Sequence, residues 1–196
     1  MTLPTKTLPP DYQQHSSVNI HHQADILQML VWSVILFIFP LPLIYLAVRN
    51  HGGSPLQFSI SSLTSLLSVL GGIAVVTVVM VIVHEGLHGL VFWLITRERP
   101  RFAFKWYYAS ACAEGWYLPR TPYLVATLLP LVVITTAGVL ILPALSRPVR
   151  YFMSLLIVFN SSGCAGDVLV ALRLLRLPRD TLSLDSGDEV KFFTAD

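Results

Sequence analysis

A long apolar run constrains this chain more than any other feature of its sequence. The run extends from Leu63 to Ile95, far beyond the roughly 20 residues that cross a bilayer as a helix, and it contains the motif His84-Glu85-Gly86-Leu87-His88. It therefore predicts a membrane-spanning helix that tilts, bends at Gly71-Gly72 or projects from the bilayer. Ionisable groups at membrane depth cost about 2.5 to 3.5 kcal/mol each and persist mainly where they have a function.

The composition and three further apolar runs define the class of protein. Of 196 residues, 54% are hydrophobic and only 12% are charged, whereas a soluble domain has about 25% charged residues. The other predicted spans are Ile26 to Val48 with a kink at Pro40 and Pro42, Tyr123 to Leu145, and Phe152 to Leu175. The sequence thus predicts an all-α membrane protein, a bundle of about four transmembrane helices.

The distribution of cations predicts the orientation. Ten of the thirteen lie on one side of the four predicted spans: Lys6, Arg97, Arg99, Arg101, Lys105, Arg120, Arg173, Arg176, Arg179 and Lys191. The positive-inside rule places that side in the cytoplasm. We predict an integral protein of a prokaryotic cell (inner) membrane, with a cytoplasmic segment 1–25, a transmembrane domain 26–175 and a cytoplasmic tail 176–196. The net charge of +2 is not gathered into a nucleic-acid-binding face.

The ionisable groups inside the predicted spans form a small set. Only Glu85 and Asp167 among the acids, and only His84 and His88 among the histidines, fall there. Residues i and i+4 share a helix face, so the two histidines can bind one metal ion while Glu85 reaches a water molecule. Two histidines and one carboxylate form a known catalytic zinc set, and the loop acids Glu98 and Glu114 are weaker candidates than Asp167.

The depths of these groups agree with that assignment. In the predicted topology spans two and four run in the same direction, with His88 seven residues before Ile95 and Asp167 eight before Leu175. The axial mismatch is about 1.5 Å. We therefore predict zinc as the cofactor, His84, His88 and Asp167 as its ligands, and Glu85 as the catalytic base.

Other functions account for part of the same pattern. The four ionisable groups could form a metal-binding or proton-relaying network in a transporter or scaffold, and Asp167 could make an interhelical hydrogen bond beside Gly163 and Gly166. Glu85 separates the hypotheses, because hydrolysis needs an acid directly after the first histidine and metal binding alone does not.

Three other side chains lie in the predicted spans or in the loop between them. Asn160, two turns before Asp167 on nearly the same face, is a candidate substrate-binding residue, and an interhelical hydrogen bond accounts for it equally well. Cys112 and Cys164 form no metal-binding spacing, and we interpret both as structural.

These motifs carry a resemblance to a known family. The sequence His84-Glu85-Gly86-Leu87-His88-Gly89 in one span, a basic aromatic loop, and the segment from Asn160 to Asp167 in the last span resemble the small "putative zincin peptidase" family of membrane proteins. More distantly, residues 63 to 175 look like the site-2 proteases. The resemblance implies that His84, His88 and Asp167 bind zinc and that Glu85 activates water. The chain differs from site-2 proteases after the aspartate, where Val168 replaces the usual glycine.

The loop between spans two and three contains alternating aromatic residues. Phe102, Phe104 and Trp106 alternate with other residues, a period that predicts a strand, and Glu114-Gly115 predicts a turn before Trp116-Tyr117-Leu118. The pattern predicts a short interfacial β-hairpin between helices 2 and 3. The edge of this hairpin could pair with an extended peptide. An interfacial aromatic belt is compatible with the same residues.

The function predicted from these residues is hydrolysis of a peptide bond within the membrane. Because the catalytic groups lie below the membrane surface, the predicted substrate is a membrane protein or a membrane-associated peptide. A zinc enzyme acting on a lipid or a prenylated peptide is a further hypothesis.

Overall fold

We describe the fold from a computed structural model, which covers residues 3–49, 61–105 and 108–195. In chain order the helices are α1 Gln23–Ile38, α2 Pro40–Val48, α3 Leu63–Thr96, α4 Arg120–Ile141, α5 Arg147–Gly163 and α6 Ala165–Leu175, with a 3-10 turn at Leu142–Ala144. The strands are β1 Tyr12–Asn19, β2 Arg101–Lys105, β3 Tyr108–Cys112, β4 Tyr117–Pro119, β5 Leu182–Asp185 and β6 Glu189–Ala195.

Three of the helical segments are long and apolar enough to cross a membrane: Gln23–Val48, Leu63–Thr96 and Arg120–Ala144. Helix α3 continues through Gly71-Gly72 as a single element. The kink predicted at Pro40 and Pro42 is a break at Phe39 between α1 and α2, because Pro40 has no amide hydrogen with which to continue the first helix.

The fourth apolar run is divided into two helices. Helices α5 and α6 meet at Cys164 with a bend of 43°, and together they satisfy the length and composition of one more span. The described residues therefore contain three candidate spans, or four if the bent pair counts as one.

The prediction of an all-α protein is wrong. The structure is about 63% helical and 18% strand, and it contains a four-stranded antiparallel sheet in the order β1-β6-β5-β4 and a separate pair β2-β3. The two ends of the chain form most of the larger sheet, since β1 pairs with β6 from Tyr12 opposite Ala195 to Asn19 opposite Glu189. Hydrophobic runs that detect helices overlook such strands, because each is short and its partner is far away in the sequence.

The β-hairpin after α3 exists with a different partner strand from the one predicted. Strand β2 pairs with β3, from Arg101 opposite Cys112 to Lys105 opposite Tyr108. The predicted Glu114-Gly115 turn is present, with Gly115 at a φ of 75°. The segment after it, however, forms β4 and pairs with β5. Trp106 lies outside the described residues.

The chain divides into two compact units, each with its own apolar core. The first unit consists of Met1–Trp32, Glu85–Leu129 and Ala165–Asp196, and the second of Ser33–His84 and Pro130–Cys164. The core of the first unit joins sheet and helix residues, among them Phe92, Leu118, Leu174 and Phe192. The core of the second unit consists of Ile44, Val48, Leu142, Ile157 and Val158.

Large apolar side chains are exposed along α3. Leu67, Val75, Val78 and Ile82 each expose more than half of their surface, and none of the most apolar window of this helix is buried within the protein. Exposed apolar surface of this extent favours contact with lipid.

A close approach in the second unit makes a testable prediction about packing. A Cβ atom on Gly72 would lie 2.3 Å from the ring of Phe152, whereas one on Gly71 would meet nothing within 4 Å. We expect Gly72→Ala to destabilise the protein by about 1 to 3 kcal/mol through overpacking, and Gly71→Ala to leave stability unchanged or slightly higher. Thermal unfolding in detergent measures both, and equal effects of the two substitutions would contradict the packing.

Candidate active site

His88 lies on α3 within the first unit, where both of its ring nitrogens have defined neighbours. Its Nδ1 is 2.9 Å from the carbonyl oxygen of Ala126 on α4. A carbonyl can only accept a hydrogen bond, so Nδ1 carries the hydrogen and donates it. The lone pair of the neutral ring is therefore on Nε2.

The lone-pair nitrogen of His88 faces a carboxylate. Nε2 lies 3.5 Å from Oδ1 of Asp167, which is long for a hydrogen bond between nitrogen and oxygen. Zinc binds nitrogen at about 2.0 to 2.1 Å and oxygen at about 2.0 to 2.2 Å, so two ligand atoms of one tetrahedral ion lie about 3.4 Å apart. The observed separation fits two ligands of one metal ion.

Asp167 occupies the first turn of α6, directly after the break at Cys164. The amino end of a helix carries a partial positive charge that stabilises a carboxylate. Asp167 thus lies at the amino end of a helix that begins just after the bend, and its side chain is about one-fifth exposed.

His84 lies one turn before His88 on the same continuous helix, and its neighbours belong to the second unit. Its Nδ1 is 3.0 Å from Oδ1 of Asn160 and 3.9 Å from Sγ of Cys164. With the amide oxygen of Asn160 as acceptor, Nδ1 carries the hydrogen and Nε2 carries the lone pair. The predicted role of Asn160 in substrate binding stays a prediction, while its contact with His84 is direct.

Glu85 follows His84 on α3, and its side chain is buried like those of the two histidines. The i, i+4 spacing of the histidines gives them one face of a regular helix, with Glu85 one residue further round. The ligand and base roles of these residues stay predictions.

The β2-β3 hairpin packs against α3 beside the motif. A Cβ atom on Gly89, directly after His88, would lie 2.5 Å from the ring of Phe102 on β2. The absence of a side chain at Gly89 thus allows the hairpin to contact the helix at the level of the candidate site.

Three residues near these groups were not predicted from the sequence to belong to the site. Cys164, which the sequence predicts to be structural, follows the end of α5, and its Sγ lies 3.9 Å from Nδ1 of His84. The other two are Tyr123 on α4 and Asp185 on β5, joined by a hydrogen bond of 2.8 Å from the tyrosine hydroxyl to Oδ2. Asp185 was assigned to a tail, and only its pairing in the sheet brings it to Tyr123.

Asp185 is an electrostatic neighbour of the site. Burial raises the pKa of its carboxyl above the ordinary value, and hydrogen bonds from the Gly187 amide and the Tyr123 hydroxyl oppose this shift. The negative charge of Asp167 raises the pKa of Asp185 further, and a positive charge on His88, were that ring protonated, would lower it. These couplings identify the C-terminal sheet as part of the environment of the His88 and Asp167 pair.

The paired donor atoms of His88 and Asp167 define a candidate metal centre. Comparison with known families supports this class: the chain belongs to the family described as "Putative zincin peptidase", which matches residues 77–182. The resemblance inferred from the motifs is thereby confirmed, and the family suggests a zinc metallopeptidase. No curated protein and no solved structure matches the chain.

The hydrogen bond between Tyr123 and Asp185 makes a prediction that depends on pH. Tyr123→Phe removes a donor from a desolvated carboxylate, and we expect a loss of about 1 to 3 kcal/mol of stability at neutral pH. The loss should shrink as the pH falls through the pKa of Asp185, because the protonated carboxyl needs the donor less. Thermal unfolding at several pH values measures it. Tyr45→Phe, at an exposed position on α2, is the control, and a pH-independent loss would contradict the assignment.

Proposed function

We propose that this protein is an intramembrane zinc metallopeptidase that hydrolyses peptide bonds of membrane-associated substrates. The observation that carries the proposal is the arrangement around His88, whose Nδ1 donates to a backbone carbonyl while its Nε2 lies at ligand spacing from Asp167. Histidines that bind metals commonly donate their other ring nitrogen to a carbonyl or carboxylate. Membership in the family supports the same chemistry.

In this proposal His84, His88 and Asp167 hold the zinc ion. The spacing of the histidines on α3, the ligand-like distance between His88 and Asp167, and the orientation of His84 by Asn160 support this set. Zinc held by these residues would polarise a carbonyl group and acidify water.

The chain's own residues then have separate tasks. Glu85 acts first as a general base, taking a proton from the attacking water, and then as a general acid, returning it to the nitrogen of the leaving amine. The carbonyl of Ala126 and the amide of Asn160 hold the two imidazole rings in one tautomer.

The β2-β3 hairpin is the surface on which we expect a substrate to lie. Phe104 on β2 is 67% exposed, and among the described residues β2 pairs only with β3. An extended peptide could therefore add to its other edge. Because Phe102 contacts α3 at Gly89, such a peptide would lie beside the motif.

The pairing of the chain's ends supports the predicted orientation. Strands β1 and β6 are hydrogen-bonded neighbours, so both must lie on the same side of a membrane, which requires an even number of spans. Three long helices and the bent pair α5–α6 give four. We propose that both ends and the β2-β3 hairpin are cytoplasmic, in agreement with the cation distribution.

Reporter fusions test this topology. We expect a fluorescent protein that folds only in the cytoplasm to be bright when fused after Asp196 or before Met1 in a bacterial host, and dark when fused after Leu145 in a chain truncated there. Alkaline phosphatase should give the opposite pattern at each position. Opposite locations for the two ends would contradict both the topology and the pairing of β1 with β6.

Metal content and cleavage test the proposed chemistry together. We expect about one zinc per purified protein in the wild type, loss of zinc in Asp167→Ala, and retained zinc with cleavage of a membrane-spanning reporter reduced about 10²- to 10⁴-fold in Glu85→Gln. Glu98→Gln, an exposed acid after α3, should keep both properties. A wild type that binds no offered zinc, or a Glu85→Gln protein that cleaves normally, would contradict the proposal.

A further inference from the structure

One proline in the middle of α4 is linked to both histidines of the motif. Pro130 lies inside the helix, and a proline there has no amide hydrogen for the carbonyl four residues earlier. That carbonyl belongs to Ala126, which is fully buried. It is the same carbonyl that accepts the Nδ1 hydrogen of His88 at 2.9 Å.

The proline ring also acts sterically on the Ala126 carbonyl. In a helix interior the ring crowds the carbonyl of residue i−4 and turns it away from the helix axis. A buried carbonyl without its helical donor needs another partner, because leaving it unpaired costs about 1 to 3 kcal/mol. His88 supplies that partner, so the proline favours the ring orientation that keeps Nε2 as the lone-pair nitrogen.

The carbonyl of Pro130 itself reaches the other histidine through Asn160. The Nδ2 of Asn160 is 3.2 Å from this carbonyl oxygen. Because a carbonyl can only accept, the contact identifies the nitrogen of the amide and therefore its oxygen. That oxygen faces Nδ1 of His84 at 3.0 Å, so His84 also carries its hydrogen on Nδ1.

We propose that Pro130 is a positioning residue with two separate effects: its ring, which lacks an amide hydrogen, frees the Ala126 carbonyl for His88, and its backbone carbonyl anchors the Asn160 amide that orients His84. This inference rests on the proposed function, in which Nε2 of each ring is the metal ligand. Neutral histidine exists in two tautomers, and only the one with its hydrogen on Nδ1 offers Nε2 to a metal ion. Pro130 thus prepares the two rings before any ion binds.

The tautomers can be read directly in the metal-free protein. We would label the histidines with ¹⁵N, purify the full chain in detergent, and record long-range ¹H–¹⁵N spectra at a pH where the rings are neutral, assigning His84 and His88 by substitution. In the wild type both rings should carry the hydrogen on Nδ1. This measurement depends on neither zinc nor peptide cleavage.

Two substitutions test the His88 contact and the His84 contact separately. Pro130→Ala restores an amide hydrogen for Ala126 and keeps the carbonyl at position 130, so it should shift His88 towards the other tautomer and leave His84 unchanged. Asn160→Leu should shift His84 and leave His88 unchanged. Pro122→Ala is the matched control, because a proline in the first turn of the same helix removes no helical hydrogen bond.

Zinc affinity provides the second readout. Loss of a hydrogen-bond partner behind a ligand histidine typically weakens metal binding about 10- to 100-fold, which we expect for Pro130→Ala and Asn160→Leu and not for Pro122→Ala. Unchanged tautomers in both variants, or a wild-type His88 with its hydrogen on Nε2, would overturn the inference even if zinc binds normally. Defined tautomers in a wild type that binds no zinc would instead leave the positioning intact and contradict the proposed function.

Discussion

The hydrogen bond from His88 to the carbonyl of Ala126 is the interaction on which the candidate site depends. It joins a side chain of α3 to the backbone of α4 inside an apolar environment, where a polar group without a partner is costly. It also settles which ring nitrogen faces Asp167, and the 3.5 Å between these atoms is the spacing that one metal ion would impose. The carbonyl is available because Pro130, one turn later, has no amide hydrogen to donate to it. A proline in α4 thus leaves a backbone acceptor for the ring of His88 on α3.

The C-terminal strands β5 and β6 affect both the possible membrane topology of the chain and the surroundings of the candidate site. By pairing with β1, strand β6 brings the two ends of the chain together. Any membrane topology compatible with this pairing has an even number of spans. Through β5, the same sheet brings Asp185 to Tyr123, and a carboxylate with a raised pKa then lies within electrostatic range of His88 and Asp167. A segment that resembles a tail in the sequence is thus part of the environment of the site.

Sequence patterns predicted the helices better than the strands. Helix α3 follows the run from Leu63 almost to the residue, because a continuous apolar run of that length has few other structures available to it. The strand at Arg101–Lys105 followed from its alternation, but its predicted partner, Trp116 to Leu118, was wrong, since pairing depends on which segment packs alongside. The prediction of an all-α fold failed for the same reason at β1, β5 and β6, whose partners are distant in the sequence.

The amino-acid sequence alone predicted long apolar helices, the motif His84-Glu85-Gly86-Leu87-His88 and the shared helix face of its histidines, because composition and helical periodicity are local properties. It also singled out Asp167, since few ionisable residues fall within apolar runs. Three contacts could not be predicted from it: Asp167 lies at ligand spacing from His88, Asn160 contacts His84, and Ala126 accepts a hydrogen bond from His88. These contacts join residues on different helices, and their distances depend on packing, a bend at Cys164 and a proline in α4, which no local pattern encodes.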